Sequence, residues 1–539
     1  MVELCRVQRR SVIGGMAASR DDAAAKRVLH AVRAWSSPGP AHLVGAGRRA
    51  RRVRVEDAIY HAAALSMALD FDDYVCFGHT GHSAVLVPLL LAAETDSSGS
   101  EQLLAQLAAN EVEARLGGAC LIGPQNGQLW SFIHSAGAAV SASRLLGLTP
   151  EQTAHALALS LYQPPRATAP GFFMPDSKLL TAAEPAVAGL RAARLAASGV
   201  TGPLDALDHP QGFLSAFADV PLVAVLGALG EGWATTTLCV KPYPGCAYID
   251  TALDALGKLG WPRSGDVERV EVDASILTCV MDSMSAHYAS DSTSVPTPVV
   301  VTFSIAWSIA VALVAGEPGP AQVDAAWLQE NSAALRAAAA KVRLRHDPSL
   351  TREAVSSFAS VLPPGLVARA VGPGGLARAA ASLRRSAAGS QRISALGALR
   401  GRSILGLGGD LSPFSLGDLR LLGDVSMLRD LLGEIRHPGS TSDPMGTRQV
   451  AASWWDPDAL GAFAMAFPAR VTLRMKGHET RDAYADVPRG AAGHPSEGPS
   501  AISATKLRDH GAAMWGQSRI GDIDRAISED DPQLWTLLG

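Results

Sequence analysis

The chain has 539 residues, a formal charge of −4, 47% hydrophobic residues and only 5% aromatic ones. That length exceeds one ordinary core and implies two or more domains. The small net charge gives no electrostatic reason to expect nucleic acid or an anionic membrane as a partner.

The apolar content is mainly Ala, Leu and Val. Ala and Leu are strong helix formers and small side chains let helices pack closely, so a mainly α protein is expected. Arg6, Arg9 and Arg10 open the chain, but the apolar stretch after them is short and broken by Gly and Ser. It reads as neither a signal peptide nor a membrane span. Residues 1–50 are Arg- and Ala-rich, with one helix expected around 20–35 and the remainder loose. Helical spacing runs from Val55 to Asp70, and Ser83 to Ala93 reads as a buried helix with Pro88 as a kink or near a helix start. Further helices are expected over 101–120, 134–147, 150–162 and 182–198. The third of these has a clear start: Thr149 as cap, Pro150 in the first turn and Glu151 as an early acid.

The texture changes near residue 240. Residues 267–273, 341–345 and 469–475 alternate as strands do, with helices over 303–315 and 321–340 among them. An α+β segment therefore follows an all-helical one. Residues 353–460 are rich in Gly, Ala, Leu and Arg and read as a long insertion; the tail from 501 to 539 reads as helical again. Six cysteines lie at 5, 76, 120, 239, 246 and 279 with no Cys-x-x-Cys spacing. Scattered thiols of this kind fit a reducing cytoplasm and give no support for a zinc or redox motif.

The most informative run extends from Met67 to Ser83. Asp70, Asp72 and Asp73 are followed at once by His79 and His82. A carboxylate beside an imidazole suits proton transfer, because each tunes the other's pKa. Asp72 and Asp73 read equally well as solvated or capping residues at a helix end. His79 and His82 are three apart and are conceivable metal ligands, but no further ligands follow at a recognisable spacing, so no metal is expected.

Six separated pieces, in order, resemble the MmgE/PrpD family, whose members include 2-methylcitrate dehydratase, cis-aconitate decarboxylase and iminodisuccinate epimerase. The pieces are 69–73 with His82; Gly137 to Leu148; Lys178 with Gly189 and the run from Gly199 to Pro203; Lys241-Pro-Tyr-Pro244; Phe303-Ser304 with Ala310; and Phe467 to Val471. The resemblance implies a large all-helical domain plus a smaller α+β lid, with the site in a cleft between them. On this sequence that means 1–239 helical, 240–490 as the lid carrying the insertion at about 353–460, and 491–539 as the return to the helical domain. It also implies a homodimer, no cofactor, and a small di- or tricarboxylate substrate.

The resemblance places catalytic roles on Asp70, His82, Lys178 and Lys241. The lysines would hold carboxylates and steady enolate-like charge. His82 would be the general base or acid, supported by Asp70. Tyr74, His79, Gln128, Cys246 and Trp307 would contact the substrate. Several of these depart from the family pattern. Gln128 stands where a second site histidine is usual, and glutamine cannot exchange a proton near neutral pH. His134 is six residues further on, an offset expected to point it to a different helix face. Cys246, Trp307, Tyr74 and Met67 stand where other members carry His, Tyr, Thr and His. The expected activity is that of a dehydratase; an isomerase or epimerase, a decarboxylase, and a non-catalytic ligand-binding member remain as alternatives.

Overall fold

The computed structural model describes residues 1–47, 51–124, 127–173, 176–289, 296–359, 361, 374, 455–477 and 479–539. In chain order the first helices are α1 (Val2–Ala18), α2 (Ala23–Trp35), α3 (Val55–Met67), α4 (Gly81–Ala84), α5 (Leu86–Leu91), α6 (Gly99–Ala119), α7 (Ser131–Leu145), α8 (Pro150–Tyr162), α9 (Ala169–Phe173), α10 (Leu180–Ala197) and α11 (Phe213–Phe217). Then come α12 (Ala247–Lys258), α13 (Ile276–Ala289), α14 (Pro298–Thr302), α15 (Ile305–Ala315), α16 (Ala325–Glu330), α17 (Ser332–Ala339), α18 (Pro348–Phe358), α19 (Pro457–Gly461), α20 (Pro499–Trp515), α21 (Gln517–Ser528) and α22 (Leu534–Leu538). The strands are β1 (Asp73–Tyr74), β2 (Cys239–Val240), β3 (Val267–Ala274), β4 (Val342–His346), β5 (Ala469–Met475) and β6 (Thr480–Ala485). The fold is mainly α with a smaller α+β region. Among the described residues no helix is long and apolar enough to cross a membrane.

The chain divides into two units. The first takes Met1–Pro242, Trp455–Gly461 and Pro495–Gly539; the second takes the described residues of Tyr243–Trp454 and Ala462–His494. The insertion expected at 353–460 lies mostly outside the described residues.

In the first unit the helices start where local chemistry says they should. Ser98 and Thr149 each form a reciprocal capping box, with Glu101 and Gln152, that satisfies orphan N–H groups of α6 and α8. The buried run after residue 81 breaks at Val85 into α4 and α5. Pro88 lacks the N–H that would bond to the Ala84 carbonyl and its ring crowds that carbonyl, which accounts for the break.

Residues 2–18 correct the expectation of a loose N-terminus: they form α1, whose side from Ser11 to Ala17 is fully buried. Its small residues are the reason it was not legible. A Cβ on Gly14 would lie 2.8 Å from the Leu507 nitrogen of α20, and one on Gly15 would lie 2.6 Å from the Phe71 carbonyl. The Gly-Gly pair lowers helix propensity but lets two backbones approach closely. Gly189 acts likewise on α10, where a Cβ would meet the Ser135 carbonyl of α7 at 2.2 Å. The main core joins Ile13, Met16, Ile59, Leu65, Leu89 and Leu190 across these helices.

The second unit holds a four-stranded sheet in the order β4-β3-β5-β6, with β3 and β4 parallel and the other pairs antiparallel. Val270, Val272, Val471 and Leu473 are buried on one face, and α12 packs beside β5 and β6. Tyr243, the tyrosine of Lys-Pro-Tyr-Pro, is buried here. Its hydroxyl donates to Asp254 Oδ1 (3.0 Å) and accepts from Arg489 Nη2 (2.7 Å).

Candidate active site

The first unit buries an unusual density of charge. After α3 ends, Asp70 adopts the left-handed backbone conformation, with φ of +55°. Aspartate is one of the few residues that tolerates this. The turn seats the Asp70 carboxylate between two ammonium groups. Lys178 Nζ lies 2.9 Å from its Oδ1, and Lys241 Nζ 2.9 Å from its Oδ2. Lys178 comes from a 3-10 turn at Asp176–Leu179 and also donates to the Met67 carbonyl at 2.9 Å. Lys241 follows β2, which pairs antiparallel with β1. That pairing brings its Nζ to 2.6 Å from Asp72 Oδ1 as well. Both lysines and Asp70 are fully buried.

Asp72 is the hub of the arrangement. Its Oδ2 is 2.8 Å from His79 Nδ1 and 2.9 Å from His82 Nε2. Burial alone would raise the Asp72 carboxyl. Lys241, His79 and the two imidazole hydrogen bonds outweigh it and hold Asp72 well below the usual carboxylate range. Burial likewise raises Asp70, and the ammoniums of Lys178 and Lys241 outweigh it and keep Asp70 ionised. For His79 the balance goes the other way: burial lowers it despite the Asp72 carboxylate.

The two histidines differ in their free ring nitrogens. His82 uses both: Nε2 on Asp72, and Nδ1 at 2.8 Å from Ser66 Oγ. His79 uses only Nδ1, and no hydrogen bond joins its Nε2 to a described residue. A carboxylate can only accept, so His79 presents an Nδ1–H to Asp72 and leaves a lone pair on Nε2. His79 is thus set up as a proton acceptor, with Asp72 steadying the imidazolium that forms.

The structure therefore rearranges the roles read from sequence. Asp70, Lys178, Lys241, His79 and His82 converge, but the carboxylate that supports His82 is Asp72 rather than Asp70. Asp72 is neither solvated nor a cap. Asp70 serves as counter-ion to the lysines. Tyr74 is buried with its ring 5.6 Å from that of His79. Gln128 is 6% exposed in a 3-10 turn, and neither of its amide atoms has a hydrogen-bond partner among the described residues. Cys246 and Trp307 belong to the second unit. The Cys246 nitrogen donates to the Thr302 carbonyl at 2.9 Å, and the Trp307 nitrogen donates to Ser304 Oγ at 3.4 Å.

His134 corrects its expected orientation, since its ring lies 5.8 Å from that of His82 at 73°. The offset was counted along a single helix, whereas Gln128 sits in a turn before α7 and so sets no face for it. Ser66, Ser83, Glu113 and Lys506 are further members of this buried region that sequence reasoning missed. Lys506 of α20 donates to the Phe71 carbonyl at 3.0 Å, 435 residues away in the chain. No local spacing carries such a contact. All six cysteines are buried. Among the described residues no three His, Cys, Asp or Glu side chains are grouped to hold a metal ion.

Asp73 gives a pH signature. Burial pushes its carboxyl from 3.8 up to about 6, against the Gln8 hydrogen bond of 2.7 Å to its Oδ2. A folded-state value above the unfolded one means that the native state holds its proton longer. Asp73 therefore costs stability as pH rises from about 4 to about 6, and the penalty is complete above that. Asp73→Asn keeps an acceptor for Gln8 and removes the penalty. Urea midpoints should show the variant gaining on the wild type between pH 5 and pH 8; an equal gap at both would show that Asp73 ionises normally.

Residues 11–223 match the family model of the MmgE/PrpD N-terminal domain. No curated protein matches the chain.

Proposed function

The chain belongs to the MmgE/PrpD family through residues 11–223, and from that premise we propose that it is a lyase that removes water from a small hydroxy di- or tricarboxylate. The observation that carries the reading is the His79–Asp72 pair, with Nδ1 anchored at 2.8 Å and Nε2 unbonded among the described residues. Nε2 takes the proton α to a substrate carboxylate. The carbanion's electron pair forms the new double bond as the β-hydroxyl departs. An acid protonates that hydroxyl, so an alkene and one water leave.

Lys178 and Lys241 provide positive charge in a dry setting, where it steadies enolate-like charge more than it would in water. Asp70 fixes both ammoniums, so little reorganisation is needed as that charge develops. Gln128, buried with its amide donor and acceptor unused among the described residues, suits a hydrogen bond to a substrate carboxylate or hydroxyl. A homodimer in the cytoplasm goes with this reading.

The test is a panel of citrate-like, malate-like and aminodicarboxylate compounds incubated with the protein in deuterated water and followed by mass. Loss of water from one compound supports the reading and identifies the substrate class. Deuterium gain with no other mass change assigns an epimerase instead, and loss of carbon dioxide a decarboxylase. Thermal stabilisation by a carboxylate without turnover of any compound replaces the enzyme reading with a binding one.

A further inference from the structure

A second group of titratable side chains lies beside the Asp72 pair, and the proton-abstraction step does not use it. Ser83 of α4 sits between Glu113 of α6 and His134 of α7. Its Oγ is 2.8 Å from Glu113 Oε1 and 2.8 Å from His134 Nδ1. Glu113 and His134 are 0% and 1% exposed. The Glu113 carboxyl rests against the backbone of α7, where a Cβ on Gly137 would meet its Oε1 at 1.8 Å. Gly137 thus provides a cradle that an alanine would fill.

Among the described residues this carboxyl has no lysine or arginine beside it. The charged and titratable groups that act on it or on His134 are Asp73, Asp72, His82 and His79. No lysine or arginine pairs with Glu113 among the described residues. Burial, with Asp73 adding to it and Ser83 opposing, raises the Glu113 carboxyl well above its usual range. Burial, helped by His82 and His79, lowers His134 well below its own.

Counting protons then fixes a direction. With Glu113 protonated and His134 neutral, Glu113, Ser83 and His134 each carry one proton. The Glu113 O–H donates to Ser83 Oγ. The Ser83 O–H has two acceptors, His134 Nδ1 at 2.8 Å and the Thr80 carbonyl at 3.3 Å; the shorter contact takes it, which puts the His134 proton on Nε2. An ionised Glu113 would reverse the chain and put the proton on Nδ1. An ionised Glu113 is the costlier state, because the Ser83 hydrogen bond opposes its desolvation without offsetting it.

We infer that Glu113 is a buried carboxylic acid that acts as a positioning residue, holding His134 through Ser83 as an Nε2–H donor. No hydrogen bond joins His134 Nε2 to a described residue. Resting on the dehydratase reading, this makes His134 Nε2–H a hydrogen-bond donor to the departing hydroxyl, opposite in tautomer to His79. Two imidazoles in one buried region are thereby set to opposite polarity, one by a carboxylate and one by a carboxylic acid.

The first test does not depend on turnover. Nitrogen-15 spectra of histidine-labelled protein, with His134→Gln used to assign the signal, should show His134 as the neutral Nε2–H tautomer at pH 7. The Nδ1–H tautomer or an imidazolium there would overturn the inference whatever the substrate panel finds. Ser83→Ala should allow both tautomers; an unchanged spectrum would show that the relay does not set the tautomer. Once a substrate is known, Glu113→Ala should lower kcat about tenfold or more with KM within about twofold, and Glu113→Gln, whose amide N–H can replace the acid O–H, should regain most of it. A glutamine variant as slow as the alanine one would count against the donor role.

Discussion

An Asp70→Asn protein should be less stable than the wild type by about 3–5 kcal/mol, the usual cost of removing one partner from a buried ion pair. Asparagine also accepts the left-handed backbone that Asp70 adopts, so the substitution isolates the charge from the turn. Its carboxylate meets two fully buried ammoniums, one at each oxygen and each at 2.9 Å. Without it, Lys178 loses the Asp70 carboxylate and Lys241 keeps the Asp72 one. The sign with pH follows from a carboxyl held below its usual 3.8. The stabilisation is fully present above that value and is lost as pH falls below it, so the comparison belongs near neutral pH. Urea denaturation at pH 7.5 measures the cost. The double variant Asp70→Asn with Lys178→Met should recover part of it, because the buried Lys178 charge is then gone. A loss below about 1 kcal/mol for the single variant would mean that the ammoniums find other acceptors.

His79→Gln should lower turnover by about 10²–10⁴-fold, the span ordinarily associated with a lost general base. Glutamine can still donate to Asp72, so the fold and the melting temperature should change little. The informative comparison is His82→Gln. His82 spends both ring nitrogens on Asp72 and Ser66, 2.9 and 2.8 Å away. It should therefore lose less activity than the His79 variant. The opposite order would return the base to His82, the histidine that the family resemblance favours. Because burial lowers His79 despite Asp72, the acid limb of the kcat/KM profile should lie below pH 6.5 and vanish in His79→Gln.

The parts of the fold written in local chemistry were the legible ones. The α8 helix carries its cap, its proline and its capping glutamine within four consecutive residues, so its start can be read directly. Strand β5 alternates buried and solvent-facing side chains along its whole length and pairs on both edges. Among the described residues strand β6 pairs only with β5, and its first three residues are exposed. It has no buried stripe to reveal it. The α1 helix was missed for a related reason: its closest packing uses Gly14 and Gly15, where an absence of side chain is the feature selected. Small residues at a helix crossing look like weak helix in sequence and become tight contact only against the partner that they face.

The candidate site divides along the same line. The sequence alone determined that acids and imidazoles crowd residues 70–82, that isolated lysines stand at 178 and 241, and that these pieces follow the order of one family. It also determined the mainly α class, through its Ala and Leu content and helical spacing. Only the tertiary structure decided which acid meets which base. Asp70 and Asp72 are two residues apart and chemically identical, yet one lies between two lysines and the other between Lys241 and two histidines. The left-handed turn at Asp70 and the β1–β2 pairing aim their side chains differently. Glu113, Ser83 and His134 come from three helices and share no spacing that sequence reading can detect. Whether a buried carboxyl keeps its proton depends on the cations within a few ångströms of it, and those arrive from chain segments tens to hundreds of residues away.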